Sequence, residues 1–66
     1  MQLTINGKIE NLEVSTISDI LKAKDIDPQL VAVELNTQMI DTEQLGATSV
    51  KDGDKLEFLF FMGGGR

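Results

Sequence analysis

The amino-acid sequence predicts an α+β domain, a mixed sheet of four to five strands with one main helix packed across it. Three features point there. The chain opens with apolar residues at every second position and then an Asn6-Gly7 dipeptide, the mark of a strand entering a hairpin. A capping-box sequence then starts one short helix. Two strongly apolar stretches, residues 30–35 and 55–62, supply further strands.

Taken in order, Met1, Leu3 and Ile5 alternate with Gln2, Thr4 and Asn6, a period of two that fits a half-buried strand. A second strand is expected over residues 8–14. Its apolar members Ile9, Leu12 and Val14 do not keep one parity, which predicts a bulge or bent start near Glu10-Asn11. Thr16-Ile17-Ser18-Asp19 places an acid three residues after a hydroxyl, and Ile17, Ile20 and Leu21 follow at helical spacing. The helix is predicted over residues 17–24, ending before Pro28, which disfavours helical geometry in the residue preceding it. Residues 30–35 form a continuous apolar run, the pattern of a strand buried on both faces, and are expected to be a central strand; Asn36-Thr37 then turns the chain. Met39-Ile40 predicts a brief edge strand and residues 42–45 a single helical turn. Asp52-Gly53-Asp54 is a turn before the last strand, residues 55–62.

Strand, strand, helix, strand, short element, strand is the order of the β-grasp, or ubiquitin-like, fold. A right-handed crossover through the helix would bring the first and last strands together in parallel at the centre of the sheet. The expected core is Leu3, Ile5, Val14, Ile17, Ile20, Leu21, Val31, Val33, Leu56 and Phe58. Residues 1–62 would form this domain, and residues 63–66 a flexible glycine tail, since glycine pays the largest backbone entropy on ordering and has no side chain to pack.

Composition narrows the function. Sixty-six residues allow one domain, which buries about 60% of its unfolded surface and leaves no room for a deep cleft. The chain has no cysteine and no histidine, so thiolate and imidazole chemistry, disulfides and the usual zinc ligands are excluded. A formal charge of −5 gains nothing from counterion release on a phosphate backbone, so no nucleic-acid partner is expected. The alternating N-terminus is unlike a signal peptide, and no apolar run reaches the ~20 residues of a membrane span. A cytoplasmic chain, monomeric when free and with no membrane partner, is the expectation.

The informative motif is Gly63-Gly64-Gly65-Arg66 behind an apolar strand. Such a tail is read either as a frayed terminus or as a working element. In the second reading, glycines thread a narrow channel in a partner and bring a backbone carboxylate to a nucleotide, where any larger side chain would clash. Adenylation by ATP would convert that poor electrophile to an acyl-adenylate, from which a persulfide sulfur displaces AMP on the way to a thiocarboxylate. In the strand before the tail, Leu59 and Phe61 have the opposite parity to Leu56, Phe58 and Phe60. They are expected to form a partly exposed docking patch; the alternative is that a neighbouring loop covers them. Asp52 and Asp54 read as a solvated turn rather than a cation site, because calcium wants six or more oxygens.

Val31-Ala32-Val33-Glu34-Leu35-Asn36, the Asp52-Gly53-Asp54 turn, the apolar last strand and the terminal glycines, at this length, resemble the ThiS family of sulfur carriers. The tail and the Asp-Gly-Asp turn are shared with molybdopterin-synthase small subunits and ubiquitin-like proteins; the length and the Val-Ala-Val-Glu-Leu-Asn stretch favour ThiS. The resemblance implies a protein that is not an enzyme and binds no cofactor. Its terminal glycine is adenylated by a ThiF-type enzyme at the expense of ATP, and its thiocarboxylate feeds a ThiG-type thiazole synthase. On this chain the thiocarboxylate falls on Gly65, with Gly63 and Gly64 as the threading residues.

Two departures stand out: Asp41-Thr42 replaces a Pro-Arg pair found in many ThiS sequences, and Arg66 follows the glycines. A residue after Gly65 blocks adenylation of a glycine carboxylate, so Arg66 is expected to be an added residue or one removed by a metalloprotease of the kind that trims ubiquitin-like tails. Three other readings stay open at this point. They are a carrier serving methionine, cysteine or a molybdenum or tungsten cofactor, a ubiquitin-like modifier of target lysines, and a binding domain with an inert tail.

Overall fold

The structure, a computed structural model, describes residues 1–61. Strands β1 (Gln2–Ile5) and β2 (Lys8–Asn11) form a hairpin, and helix α1 (Ile17–Ala23) follows. After a 3₁₀ turn at Pro28–Leu30 come β3 (Val31–Leu35) and β4 (Gln38–Ile40), a second 3₁₀ turn at Thr42–Gln44, and β5 (Lys55–Phe60). The sheet order is β2-β1-β5-β3-β4, with β1 and β5 parallel and the other pairs antiparallel. This is the β-grasp arrangement.

Local chemistry explains the elements. At Thr16 the side chain accepts from the Asp19 amide at 3.3 Å, while Asp19 Oδ2 accepts from the amides of Ser15 and Thr16 at 3.0 and 3.1 Å. Both halves of the capping box are therefore made, and the first-turn donors of a seven-residue helix are satisfied. Each hairpin turns through two residues with positive φ, Asn6 and Gly7 in the first, Asn36 and Thr37 in the second. That is the backbone twist a two-residue connection between antiparallel strands requires.

One face of the sheet is covered. Leu3 and Ile5 from β1, Ile17, Ile20 and Leu21 from α1, Val31 and Val33 from β3, and Leu56 and Phe58 from β5 are all buried. Leu45 and Val50 complete this core, although no periodicity marks them. They are held by the loop's own bonds: Ser18 and Ile17 amides donate to Leu45 and Thr48 carbonyls, and the Val50 amide donates to Ser15. The segment after the second 3₁₀ turn thus closes over the start of the helix.

Four expectations are corrected. First, β2 stops at Asn11 with an unbroken register to β1, so there is no bulge. The parity conflict vanishes because Leu12 and Val14 belong to the loop that leads to α1, where both are partly buried against the core. Second, Val14, expected in the core, is only half-buried. Ile9 is left on the outer face, 66% exposed, and the inward positions fall to Lys8 and Glu10. Glu10 resolves its inward position by pairing with Lys24 at 2.8 Å, just past the end of α1.

Third, β1 and β5 pair in parallel at the centre as the crossover predicts, so β3 lies beside them and is not the central strand, and it is buried on one face only, with Ala32 and Glu34 half-buried on the other. Fourth, β5 ends at Phe60. The expected strand end at Met62, the domain boundary at 62 and the tail residues Gly63, Gly64, Gly65 and Arg66 lie outside the described residues. No described helix is long and apolar enough to cross a membrane.

Candidate functional site

The C-terminal end of β5 is the candidate site, because it leads directly into the glycines. Three polar side chains fix where that strand runs. The Asn6 side chain lies against the backbone of Phe58, its Oδ1 accepting from the Phe58 amide at 2.7 Å and its Nδ2 donating to the Phe58 carbonyl at 3.4 Å. On the other side of the strand, Asn36 Oδ1 accepts from the Lys55 amide at 2.9 Å, and its own amide donates to the Lys55 carbonyl at 2.8 Å. The same Asn36 donates through Nδ2 to Asp54 Oδ1 at 3.1 Å. Each hairpin turn therefore contributes an asparagine whose side chain substitutes for a missing strand neighbour of β5.

Asp54 anchors the start of β5 and is the one buried charged side chain among the described residues. Burial pushes its carboxyl up. Hydrogen bonds from Asn36 and from the Lys51 amide, with the Lys51 ammonium at 3.7 Å, outweigh that effect and hold it below the usual carboxylate range. Asp52 Oδ1 accepts from the Gln2 amide at 2.6 Å, and Gly53 takes φ +91°, where a side chain would be strained. Both aspartates of the turn are thus structural.

At the far end, Leu59 is 50% and Phe61 57% exposed. The sequence points to both. It does not point to Phe60 and Leu30, which are exposed beside them at 52% each. Phe60 has the inward parity of Leu56 and Phe58, but a seven-residue helix is only about 10 Å long, whereas six strand residues span about 20 Å. The helix cannot cover the whole strand. Leu30 ends the 3₁₀ turn, and its carbonyl accepts from the Phe61 amide at 3.0 Å, which carries the β3–β5 ladder past Phe60. Leu30, Leu59, Phe60 and Phe61 are therefore all exposed at this end of the sheet, with Phe60 on the helix-facing side and Leu59 and Phe61 on the other. Parity marks Leu59 and Phe61, whereas the signal for Phe60 is the ratio of strand length to helix length.

A five-stranded mixed sheet in the order β2-β1-β5-β3-β4, with one helix packed on it, defines the ubiquitin-like β-grasp class. Within that class the ThiS family model matches residues 2–65, and the chain belongs to the ThiS family. It is 32% identical to the sulfur carrier protein ThiS of Bacillus subtilis, over 96% of this chain and 98% of that one. It is 39% identical to a thiazole synthase of Paramagnetospirillum magneticum over 98% of this chain, and 31% identical to one of Magnetococcus marinus over 100%. The chain spans only about a fifth of the length of those two synthases (20% and 21%). Among solved structures, the crystal structure of the thiamine biosynthesis protein ThiS from Geobacter metallireducens matches with a TM-score of 0.84 and 42% identity, over 98% of this chain and all of that one.

Proposed function

We propose that this chain is a sulfur carrier of thiamine biosynthesis, a protein co-substrate and not a catalyst, whose working group is the carboxylate of Gly65. The observation that carries the reading is that the family match runs through the glycines to residue 65 instead of stopping at the folded domain. In the reaction, a ThiF-type partner transfers AMP from ATP to the glycine carboxylate and releases pyrophosphate. A persulfide sulfur then attacks the carbonyl and AMP leaves. Cleavage of the resulting S–S bond by a second thiol leaves the thiocarboxylate, with the carried sulfur on a backbone carbon. A chain without cysteine needs such a site to hold sulfur.

Thiazole synthase is the proposed recipient, and two relatives bearing that name support it. ATP is used by the adenylating partner, and the carrier binds no cofactor of its own. The reading places the chain in the cytoplasm as a monomer when free. Leu59 and Phe61 are proposed docking residues, and Gly63 and Gly64 the threading residues. Because Arg66 holds the Gly65 carbonyl in a peptide bond, a hydrolytic step, proposed here as a metalloprotease, precedes adenylation. The test compares the 66-residue chain with a form ending at Gly65, each incubated with ATP and the adenylating enzyme. The shorter form alone should release pyrophosphate; equal release by both would refute the need for processing.

A further inference from the structure

Asn6 is the one asparagine of the chain that precedes a glycine; Asn11 precedes Leu12 and Asn36 precedes Thr37. Gly7 has no Cβ to shield its amide nitrogen. Both turn residues are exposed, and a Cβ placed on Gly7 would meet nothing within 4 Å, so solvent reaches that nitrogen. The Asn6 carboxamide, in contrast, is held. Its Oδ1 accepts from the Phe58 amide at 2.7 Å and its Nδ2 donates to the Phe58 carbonyl at 3.4 Å, in the place a further residue of β1 would take. Strand β1 itself pairs with β5 at Lys55 and Leu56. Among the described residues, the Asn6 side chain is therefore what holds β5 on the β1 side beyond Leu56.

We infer that Asn6 is a deamidation site controlled by its grip on Phe58: it reacts only while it has let go of the strand, and the reaction makes the release permanent. The inference is independent of the sulfur-carrier reading. Hydroxide takes the proton of the Gly7 amide, and that nitrogen attacks Cγ of Asn6, forming a new N–C bond. The bond from Cγ to Nδ2 breaks, and the nitrogen leaves as ammonia with a proton from water, which restores the hydroxide. Water then opens the cyclic imide. Breaking the new bond gives aspartate; breaking the original peptide bond gives isoaspartate, whose chain runs through Cβ and Cγ. While it is bonded to Phe58, the carboxamide cannot swing onto the Gly7 nitrogen, so ring closure waits for a local opening. Aspartate keeps the acceptor for the Phe58 amide but sets an oxygen against the Phe58 carbonyl. Isoaspartate lengthens a tight two-residue turn by one backbone atom and leaves its carboxylate on Cα, too short to reach Phe58. Asn36 is held as well, by Lys55 and Asp54, and the branched Thr37 shields the following nitrogen. Asp52-Gly53 has the same spacing, but an ionised carboxylate is a poorer electrophile than an amide.

The test incubates the 66-residue chain at mildly alkaline pH, folded and in urea sufficient to unfold it, and follows the amide-to-acid mass change and isoaspartate by peptide mapping. Asn6 should convert before Asn11 and Asn36, and at least about tenfold more slowly when folded, the scale of a hold by two hydrogen bonds. Across urea concentrations below the unfolding midpoint, conversion should rise in parallel with hydrogen exchange at the Phe58 amide. Equal rates in the folded and unfolded chain, earlier conversion at another asparagine, or no conversion of Asn6 in either state would overturn the inference. A second measurement reads the consequence. The isoaspartate form, separated by ion exchange, should exchange its Phe58 amide faster than the unaltered chain, with Asn6→Asp between the two. Unchanged exchange in the isoaspartate form would show that the grip is not what the reaction removes, and would equally overturn it.

Discussion

Thr37 sits at φ +74°, in the left-handed region that a β-branched residue rarely occupies. The first hairpin meets the same demand with Gly7 at φ +82°, where no strain arises. Thr37→Gly should therefore stabilise the fold by about 1 kcal/mol, read as a higher urea midpoint; an unchanged or lower midpoint would show that the threonine side chain makes a compensating contact. Asp54 and Asp19 give a second handle. Backbone amides of Ser15 and then Thr16 lower Asp19, and hydrogen bonds from Asn36 and Lys51 lower Asp54 against its burial. A carboxyl lowered in the folded state binds a proton more readily when unfolded, so its stabilisation is present above about pH 4 and is lost as pH falls through the folded value. Urea midpoints should drop below about pH 4, and Asp54→Asn should flatten that slope while costing about 1–3 kcal/mol at neutral pH, because the amide cannot reproduce the carboxylate's bonds. A slope unaltered by the substitution would place the acid sensitivity elsewhere.

At the scale of elements, what could be read in advance were the features set by local chemistry. The Thr16–Asp19 box, the Asn-Gly turn and the Asp-Gly-Asp turn each encode a backbone geometry within four residues, and each forms as expected. Thr16→Ala should cost about 1 kcal/mol, measured by thermal or urea unfolding. What could not be read depends on partners distant in sequence. The strand at Lys8–Asn11 puts Glu10 inward because Lys24, fourteen residues on, is there to pair with it, and no periodicity encodes that. Phe60 keeps the inward parity but has no cover, because helix length decides coverage. Leu59 and Phe61 were legible as opposite-parity residues, and their exposure makes a prediction about docking possible. Phe61→Asp should weaken binding to the adenylating enzyme by much more than it lowers the unfolding midpoint, since its side chain is largely in solvent. Equal losses in both would make Phe61 a fold residue.

At the scale of the molecule, the proposed function has a fixed frame carry a short segment whose chemistry is entirely backbone. Asn6 and Asn36 bond to the backbone of β5 from its two sides, and Asp54 fixes its start. The order of elements and the single covered face follow from the sequence pattern, whereas the position of β5 at the centre follows from the crossover that pairs it with β1. The direct test of the account is intact-mass measurement on the form ending at Gly65. It is treated with ATP, the adenylating enzyme and a persulfide donor with a reducing thiol, beside the same chain lacking Gly64 and Gly65. The account predicts one oxygen-to-sulfur exchange, located by fragmentation at Gly65, and none in the truncated chain, which should retain its fold. Sulfur on any other residue, or incorporation by the truncated chain, would contradict it.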